Sequence, residues 1–439
     1  MRFPAPRLAA LHATSLASAL ACAVAGAAWA PPASASQATV LHVFGAKKDG
    51  DHLANSMIMD DAGNLYGTTT DGGKGGGTVF RLAPPADGGD APWAESVLFS
   101  FDEANPIHES RTGSTPESGL WFGDDGSLFG TTGVGSPIGA GNVFQLTAPA
   151  GGTGSWTETV IYDFRSGADD AGFPSSRTIA LGASGARFGL TAGGGPANIG
   201  ALYSITPPKA PGGPWTEALL HAFDGTDGAL PGGDLVADAK GNLYGVALVG
   251  GAAGLGTVFR LSPPKKAGGA WTETTLHSFT GGSDGRAPGQ KLFIDPKGAL
   301  WGTTGSGGRH LLGNIFRLSP PGKAGGAWTF KNMHVFVDAA QGQVPSSGLV
   351  PDGAGGFYGT TEVGGSADCG TVYHFQPPTK AGEDGVLTTV HSFGGGTGGG
   401  VPTGDLLLKD GVLYGQTFGS DDGDSLECTA ESVAYKLVP

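Results

Sequence analysis

Apolar residues recur along this chain in short alternating runs, each ended by turn chemistry. The stretch from 291 to 336 shows the pattern. Lys291-Leu292-Phe293-Ile294 forms the first run, and the turn Asp295-Pro296-Lys297-Gly298 leads to Leu300-Trp301-Gly302-Thr303-Thr304. A Gly-rich loop leads to the third run, Asn314-Ile315-Phe316-Arg317-Leu318, and Pro320-Pro321 stops it, because proline cannot donate to a ladder. After Lys323-Ala324-Gly325-Gly326 comes the fourth run, Trp328 to Phe336. Runs of this length and alternation predict four β-strands. No stretch combines helical periodicity with caps.

The same unit returns along the chain. Gly63-Asn64-Leu65-Tyr66-Gly67-Thr68-Thr69 matches Gly241-Asn242-Leu243-Tyr244-Gly245 and Gly298-Ala299-Leu300-Trp301-Gly302-Thr303-Thr304. Its aromatic recurs at Tyr66, Phe129, Phe188, Tyr244, Trp301, Tyr358 and Tyr414, at spacings of 63, 59, 56, 57, 57 and 56 residues. Seven four-stranded units of this length predict an all-β, seven-bladed β-propeller over residues 36–439. A β-helix coil would be shorter, and two packed sandwiches would not keep one period throughout. The chain opens on a fourth-type run, Thr39 to Phe44, and ends on a third-type run, Val433 to Leu437. The N-terminal strand is therefore expected to complete the last blade and cover its open edge.

The pattern G-N-L-Y-G-T-T, then G-G, then G-T-V-F-x-L-x-P, resembles the GloVer-type tandem repeat of the choice-of-anchor tandem repeat proteins of bacteria. It is carried by Gly63 to Leu82, Gly241 to Leu261, Gly298 to Leu318 and Gly356 to Phe375, with weaker copies elsewhere. The resemblance covers nearly all of residues 38–439. It implies export and a repeat-built exterior protein, and it brings no catalytic residues to transfer.

Composition narrows the picture. Glycine is 82 of 439 residues without a G-X-Y period, which excludes collagen, and 39% hydrophobic residues support a packed core. Residues 1–35 read as a signal peptide: Arg2 and Arg7, an uncharged Ala/Leu-rich stretch from Leu8 to Ala30, then Ala33-Ser34-Ala35 before the cut. An uncleaved anchor, or lipidation at Cys22, is the weaker alternative. Removing residues 1–35 takes the formal net charge from −14 to −16. Such a chain repels nucleic acid and anionic membrane surfaces. No second apolar run is long enough to span, and the mature chain is read as an exported monomer.

Residues repeated in most units are read as scaffold. His42, His221, His277, His334 and His391 align, but Phe99 and Tyr162 hold the same place elsewhere, so packing is preferred over metal. Asp60, Asp125, Asp238, Asp295 and Asp352 fit an Asp-x-x-Gly turn better than paired catalytic carboxylates. Trp93, Trp156, Trp215, Trp271 and Trp328 are expected to staple strand starts to a neighbouring blade, with sugar stacking as the alternative. No nucleotide, zinc or serine-hydrolase motif is present, the acidic run Asp421-Asp422-Gly423-Asp424 lacks EF-hand spacing, and neither cofactor nor metal is expected. Cys369 and Cys428 fall in equivalent loops of blades six and seven and are expected to pair.

Departures from the repeat are the better leads. The connection into blade two is the longest, with Phe101 to Pro116 spanning 15 positions against 8 for Phe223 to Pro231, and it carries His108, Glu109 and Arg111. Blade three has Arg187 where most copies have Leu. Blade five adds Arg286, Arg309 and His310. By connectivity all but Arg187 lie on one face, and these six are the candidate ligand-binding residues. The resulting expectation is a non-enzymatic binding or scaffold protein at the cell exterior that holds a glycan or a protein. The alternative is a carbohydrate-active or lactonase-like propeller enzyme with its site at the channel mouth.

Overall fold

A computed structural model describes residues 36–439 except 46–47, 54–55, 89–91, 103–112, 136–138, 151–153, 176–179, 182–184, 211, 267, 290, 324, 346, 381–382 and 420–427. The repeat becomes seven antiparallel sheets, each following chain order from its first strand to its fourth. Blade four is representative, with strands Ala229–Ala237, Leu243–Val249, Thr257–Ser262 and Thr272–Ser278. Blade seven takes Pro402–Lys409, Val412–Thr417 and Ser432–Leu437 from the C-terminus, and its fourth strand is Thr39–Phe44 from the N-terminus. Thr39 pairs with Lys436 and Phe44 with Ser432, so the two ends of the chain share one sheet. The ring is a seven-bladed β-propeller closed by its N-terminal strand.

One contact recurs at all seven blade junctions. The phenylalanine that ends each fourth strand packs on the third-strand aromatic of the next blade. The pairs are Phe44 with Phe80, Phe101 with Phe144, Phe164 with Tyr203, Phe223 with Phe259, Phe279 with Phe316, Phe336 with Tyr373 and Phe393 with Tyr435. All fourteen rings are buried. Their centroids lie from 4.7 Å, in the first pair, to 5.6 Å, in the fifth, mostly edge to face, as ring quadrupoles favour. The motif glycine explains how the third-strand ring fits: a Cβ on Gly302 would sit 2.7 Å from Phe316 Cζ, and one on Gly67 2.5 Å from Phe80 Cζ. The glycine inside the second strand is therefore a site of close approach.

The recurring polar residues act as fasteners. Asp60 accepts from the Asn64 N–H at 2.8 Å and from the Tyr66 hydroxyl at 3.0 Å, while Asp295 accepts from the Ala299 N–H at 2.9 Å and Trp301 Nε1 at 3.2 Å. Burial pulls both carboxyls up, but these bonds together outweigh it and hold them below the usual range. Three of the five aligned histidines tie the fourth strand to the connection leaving the blade: His42 meets Asp49 at 3.3 Å, His221 meets Asp227 at 2.7 Å and His277 meets Asp284 at 3.1 Å. Among the described residues no cluster of three His, Cys, Asp or Glu could hold a metal ion. Trp215 packs on Phe129 and Trp271 on Phe188, each reaching back to the preceding blade. Cys369 and Cys428 form a disulfide that joins blades six and seven. The run 421–424 lies outside the described residues.

These contacts set two expectations for stability. Gly302→Ala is expected to cost about 1–3 kcal/mol by overpacking against Phe316, whereas Gly322→Ala, with open space around its Cα, is expected to be neutral; urea unfolding of both variants checks this. The disulfide closes 59 residues of chain, so the Cys369→Ser/Cys428→Ser variant is expected to lose about 4 kcal/mol on a chain-entropy estimate. Unchanged unfolding midpoints for Gly302→Ala or for the cysteine variant would contradict the role given to each.

Candidate functional site

The connection from each fourth strand to the next first strand runs over one face toward the axis. Just before it turns down into the channel, each blade has one residue in the left-handed region. These are His52, Thr115, Phe173, Leu230, Ala287, Val344 and Val401, with φ between 49° and 58°. None is glycine, although glycine alone visits this region without cost. Holding another residue there costs on the order of 1 kcal/mol. Main-chain bonds between blades hold them. The N–H groups of Phe173, Leu230 and Val401 donate to the carbonyls of Ala140, Ile199 and Cys369 in the preceding blade, at 2.8, 2.8 and 2.9 Å. A proline follows in six of the seven blades, and it sits against a left-handed glycine: a Cβ on Gly200 would lie 2.3 Å from Pro231 Cδ. At the closing junction His52 takes this place. Its N–H donates to Asp51 Oδ1 and Ser432 Oγ, its Nδ1 lies 2.9 Å from Asp71, and its ring packs on Phe418.

This lock fixes a ring of side chains around the mouth. Phe173 and Leu230 are each 42% exposed. Eleven large apolar residues are exposed among the described residues, and six of them lie in the loops of this face: Val134, Phe173, Leu230, Val249, Leu311 and Val337.

Below the mouth, equivalent first-strand positions of the blades face the axis, and five of them join. The equivalent positions are Ser56, Gly119, Thr178, Asp234, Lys291, Gly348 and Asp405, of which Thr178 lies outside the described residues. The Lys291 ammonium reaches Asp234 Oδ2 at 3.2 Å and Asp405 Oδ2 at 2.9 Å. Asp405 Oδ1 accepts from the Gly348 N–H at 2.6 Å, and the Asp405 N–H donates to Ser56 Oγ at 2.8 Å. Residues from blades four, five, six, seven and one thus join in one network, which only the axis of the ring permits. The Asp405 carboxylate, with Asp234 adding to it, holds the Lys291 ammonium above its usual range against the pull of burial. About a third of the Lys291 side chain stays exposed while both carboxylates are buried, so the amine closes the floor of a channel open to solvent. Asp234 Oδ1 has no hydrogen-bond partner among the described residues. Nearer the mouth, Glu117 sits beside Gly133, and partial burial of its carboxyl raises its pKa.

The candidate residues read from the sequence fall into three groups. His108, Glu109 and Arg111 lie outside the described residues. Arg286 opens the first strand of blade five at the mouth, with Nε 2.9 Å from Ser306 Oγ. Arg309 and His310 share the face but not the mouth: they line a cleft of about 420 Å³ at the rim between blades five and six, with His334 and Asp384. Burial pushes the His334 imidazole down. Arg187, near the opposite face, stacks over Trp121 and Phe129, 5.3 Å from each centroid. Lys291, Asp234 and Asp405 were not among the sequence candidates. Their signal is the alignment itself, which puts three charged residues in a register otherwise filled by Ser, Gly and Thr.

Lys291→Met leaves two buried carboxylates without their cation. It is expected to cost about 3 kcal/mol at neutral pH, and less at pH 4, where a carboxylate can take up a proton. Denaturant titrations at both pH values check this, and an equal loss at both would contradict the ion network.

Solved structures of low similarity align with the chain. A PQQ-bound aldose sugar dehydrogenase from Streptomyces coelicolor aligns at 12% identity and TM-score 0.44, covering 93% of this chain and 100% of that one. A putative oxidoreductase (glucose dehydrogenase) from Thermus thermophilus aligns at 15% and 0.43, covering 92% and 100%. A putative 6-phosphogluconolactonase from Bacteroides uniformis aligns at 11% and 0.47, covering 76% and 83%. No curated protein sequence matches. A family model of the Gloeobacter/Verrucomicrobia repeat matches residues 25–183 and 174–426. With nearly the whole ring matched, and the motif glycines and aromatics accounted for by the blade junctions, the chain belongs to the Gloeobacter/Verrucomicrobia repeat family.

Proposed function

We propose that this chain is an exported, non-enzymatic binding protein that holds a protein partner on its loop face. The observation that carries the reading is the ring of left-handed, non-glycine residues at the channel mouth. Glycine is abundant in this chain, yet all seven of these positions keep a side chain at a conformational cost. Strain of this kind gathers at functional sites. Here it presents Phe173 and Leu230 to solvent on a backbone fixed by two blades. Apolar tips on a rigid frame suit a protein surface, because little ordering entropy is lost on docking. Export is supported by the charged and then apolar start of the sequence and by the disulfide. Among the described residues no helix is long and apolar enough to cross a membrane.

The test uses Phe173→Gly/Leu230→Gly, which removes both tips while suiting the left-handed backbone. The purified chain and this variant are incubated with cell-envelope fractions and with insoluble polysaccharides, and retention in the pellet and released reducing ends are measured. The expected result is protease-sensitive retention by the envelope fraction that falls at least about tenfold in the variant, with an unchanged melting temperature, since losing two buried apolar contacts is worth more than about 1.4 kcal/mol. Equal retention of the two proteins would reject the reading. Released reducing ends that vanish in Glu117→Gln would replace it with an enzyme at the channel mouth.

A further inference from the structure

The rim between blades two and three differs from the other six. In the fourth strand of blade two, Thr157–Asp163, and just beyond it, three nearby positions leave the repeat together. Tyr162 stands where five blades have His and one has Phe99. Asp163 stands where the others have Val43, Ser100, Ala222, Ser278, Val335 and Ser392. Arg165 stands where the others have Gly45, Asp102, Asp224, Thr280, Val337 and Gly394. These three residues, with Ile161, Pro214 and Trp215, line one cleft of about 600 Å³. That volume lies inside the range of roughly 300–1,000 Å³ usual for small-ligand sites.

The cleft is held in shape before any ligand arrives. The Tyr162 hydroxyl donates to Asp170 Oδ2 at 3.0 Å, which fixes the ring. Trp215 packs edge to face on Phe129 with centroids 6.1 Å apart, which fixes the indole. Asp163 Oδ1 is buried and has no hydrogen-bond partner among the described residues. A buried acceptor left unbonded is costly, and a donor from a ligand recovers that loss. Burial pushes the Asp163 carboxyl up, and burial with the Asp163 charge beside it raises Glu158 to about 7. Arg165 is exposed and forms no ion pair among the described residues, so its guanidinium is available.

Aromatic walls, a carboxylate acceptor and a guanidinium donor form the set that recognises a sugar. The rings take the C–H face of a pyranose, and the two polar groups take its hydroxyls. Charge selects further. Arg165 opposes an ammonium group, while the carboxylates of Asp163 and Asp170 oppose a uronate or sulfate. We propose that the rim cleft between blades two and three is a binding site for a neutral saccharide, with Trp215 and Tyr162 as the stacking walls and Asp163 and Arg165 as the hydroxyl partners. This site is separate from the loop-face reading and stands or falls without it.

Isothermal titration calorimetry of the full chain with cellobiose, maltose and N,N′-diacetylchitobiose tests the proposal. Millimolar or tighter binding of at least one is expected. Asp163→Ser/Arg165→Gly restores residues that sibling blades carry at these places, so the variant is expected to keep the melting temperature while affinity falls about tenfold or more. Trp215→Phe is expected to weaken binding with the fold kept, and Trp271→Phe, the equivalent change one blade on, to leave it unaltered. Phe173→Gly/Leu230→Gly is also expected to bind the sugar as the parent does. The proposal is overturned if none of the three sugars binds, if the blade-two variant binds undiminished, or if Trp271→Phe weakens binding as much as Trp215→Phe.

Discussion

The structure depends on one aromatic contact repeated seven times. A phenylalanine at the end of each blade rests on a ring in the middle of the next, and that ring needs the second-strand glycine behind it. The pair fixes the distance and twist between blades, because two fully buried rings in edge contact tolerate little displacement. Seven equal junctions then close a circle. The N-terminal strand makes the seventh junction like the others: Phe44 on Phe80 is as buried as Phe279 on Phe316. The disulfide adds a covalent tie one junction away from that seam.

With the junctions fixed, the connections have little freedom. Each must leave the rim, cross to the axis and turn down, and each does so through a left-handed residue; at Phe173, Leu230 and Val401 its N–H is claimed by the blade before it. The mouth side chains are therefore positioned by two blades at once. Deeper in, the same symmetry brings five equivalent residues, Ser56, Asp234, Lys291, Gly348 and Asp405, into one network. At Gly348 the missing side chain leaves the space that Lys291 and Asp405 occupy: a Cβ there would lie 2.7 Å from Asp405 Oδ1 and 2.9 Å from Lys291 Cβ. Where they are charged, as at Asp234, Lys291 and Asp405, the blades bind one another across the centre.

Much of this was legible in the sequence, because a repeat exposes its own scaffold. The spacing of Tyr66, Phe129 and their successors carried the blade count, and the unmatched runs at the two ends carried the closure. Asp60 and its equivalents could be read as turn residues because Asp-x-x-Gly has a local mechanism. The axial network was not read. Lys291 looked like the first residue of an ordinary strand, and nothing local tells that equal register in non-neighbouring blades means contact. Arg309 and His310 show a related limit. Connectivity assigns a loop to a face, but whether it leans to the mouth or to the rim is decided by the packing of its neighbours. The Tyr162, Asp163 and Arg165 departures were visible in the alignment, yet they gain meaning only beside Trp215, about fifty residues later in the chain.

The left-handed mouth residues have a consequence for how such a protein can change over generations. At six of the seven places the backbone N–H is held by a main-chain carbonyl, which does not depend on the identity of the side chain; only His52 relies on side chains, those of Asp51 and Ser432. Phenylalanine, leucine, alanine, valine, threonine and histidine already occupy the seven places on one frame. Point mutation, or recombination between tandem units of the gene, can therefore exchange one tip at a time and leave the folding of the ring untouched. The chain works as a holder whose exposed tips, Phe173, Leu230 and Ala287 first among them, are replaceable bits, so that related genes can diversify what they recognise while conserving almost everything that makes them fold.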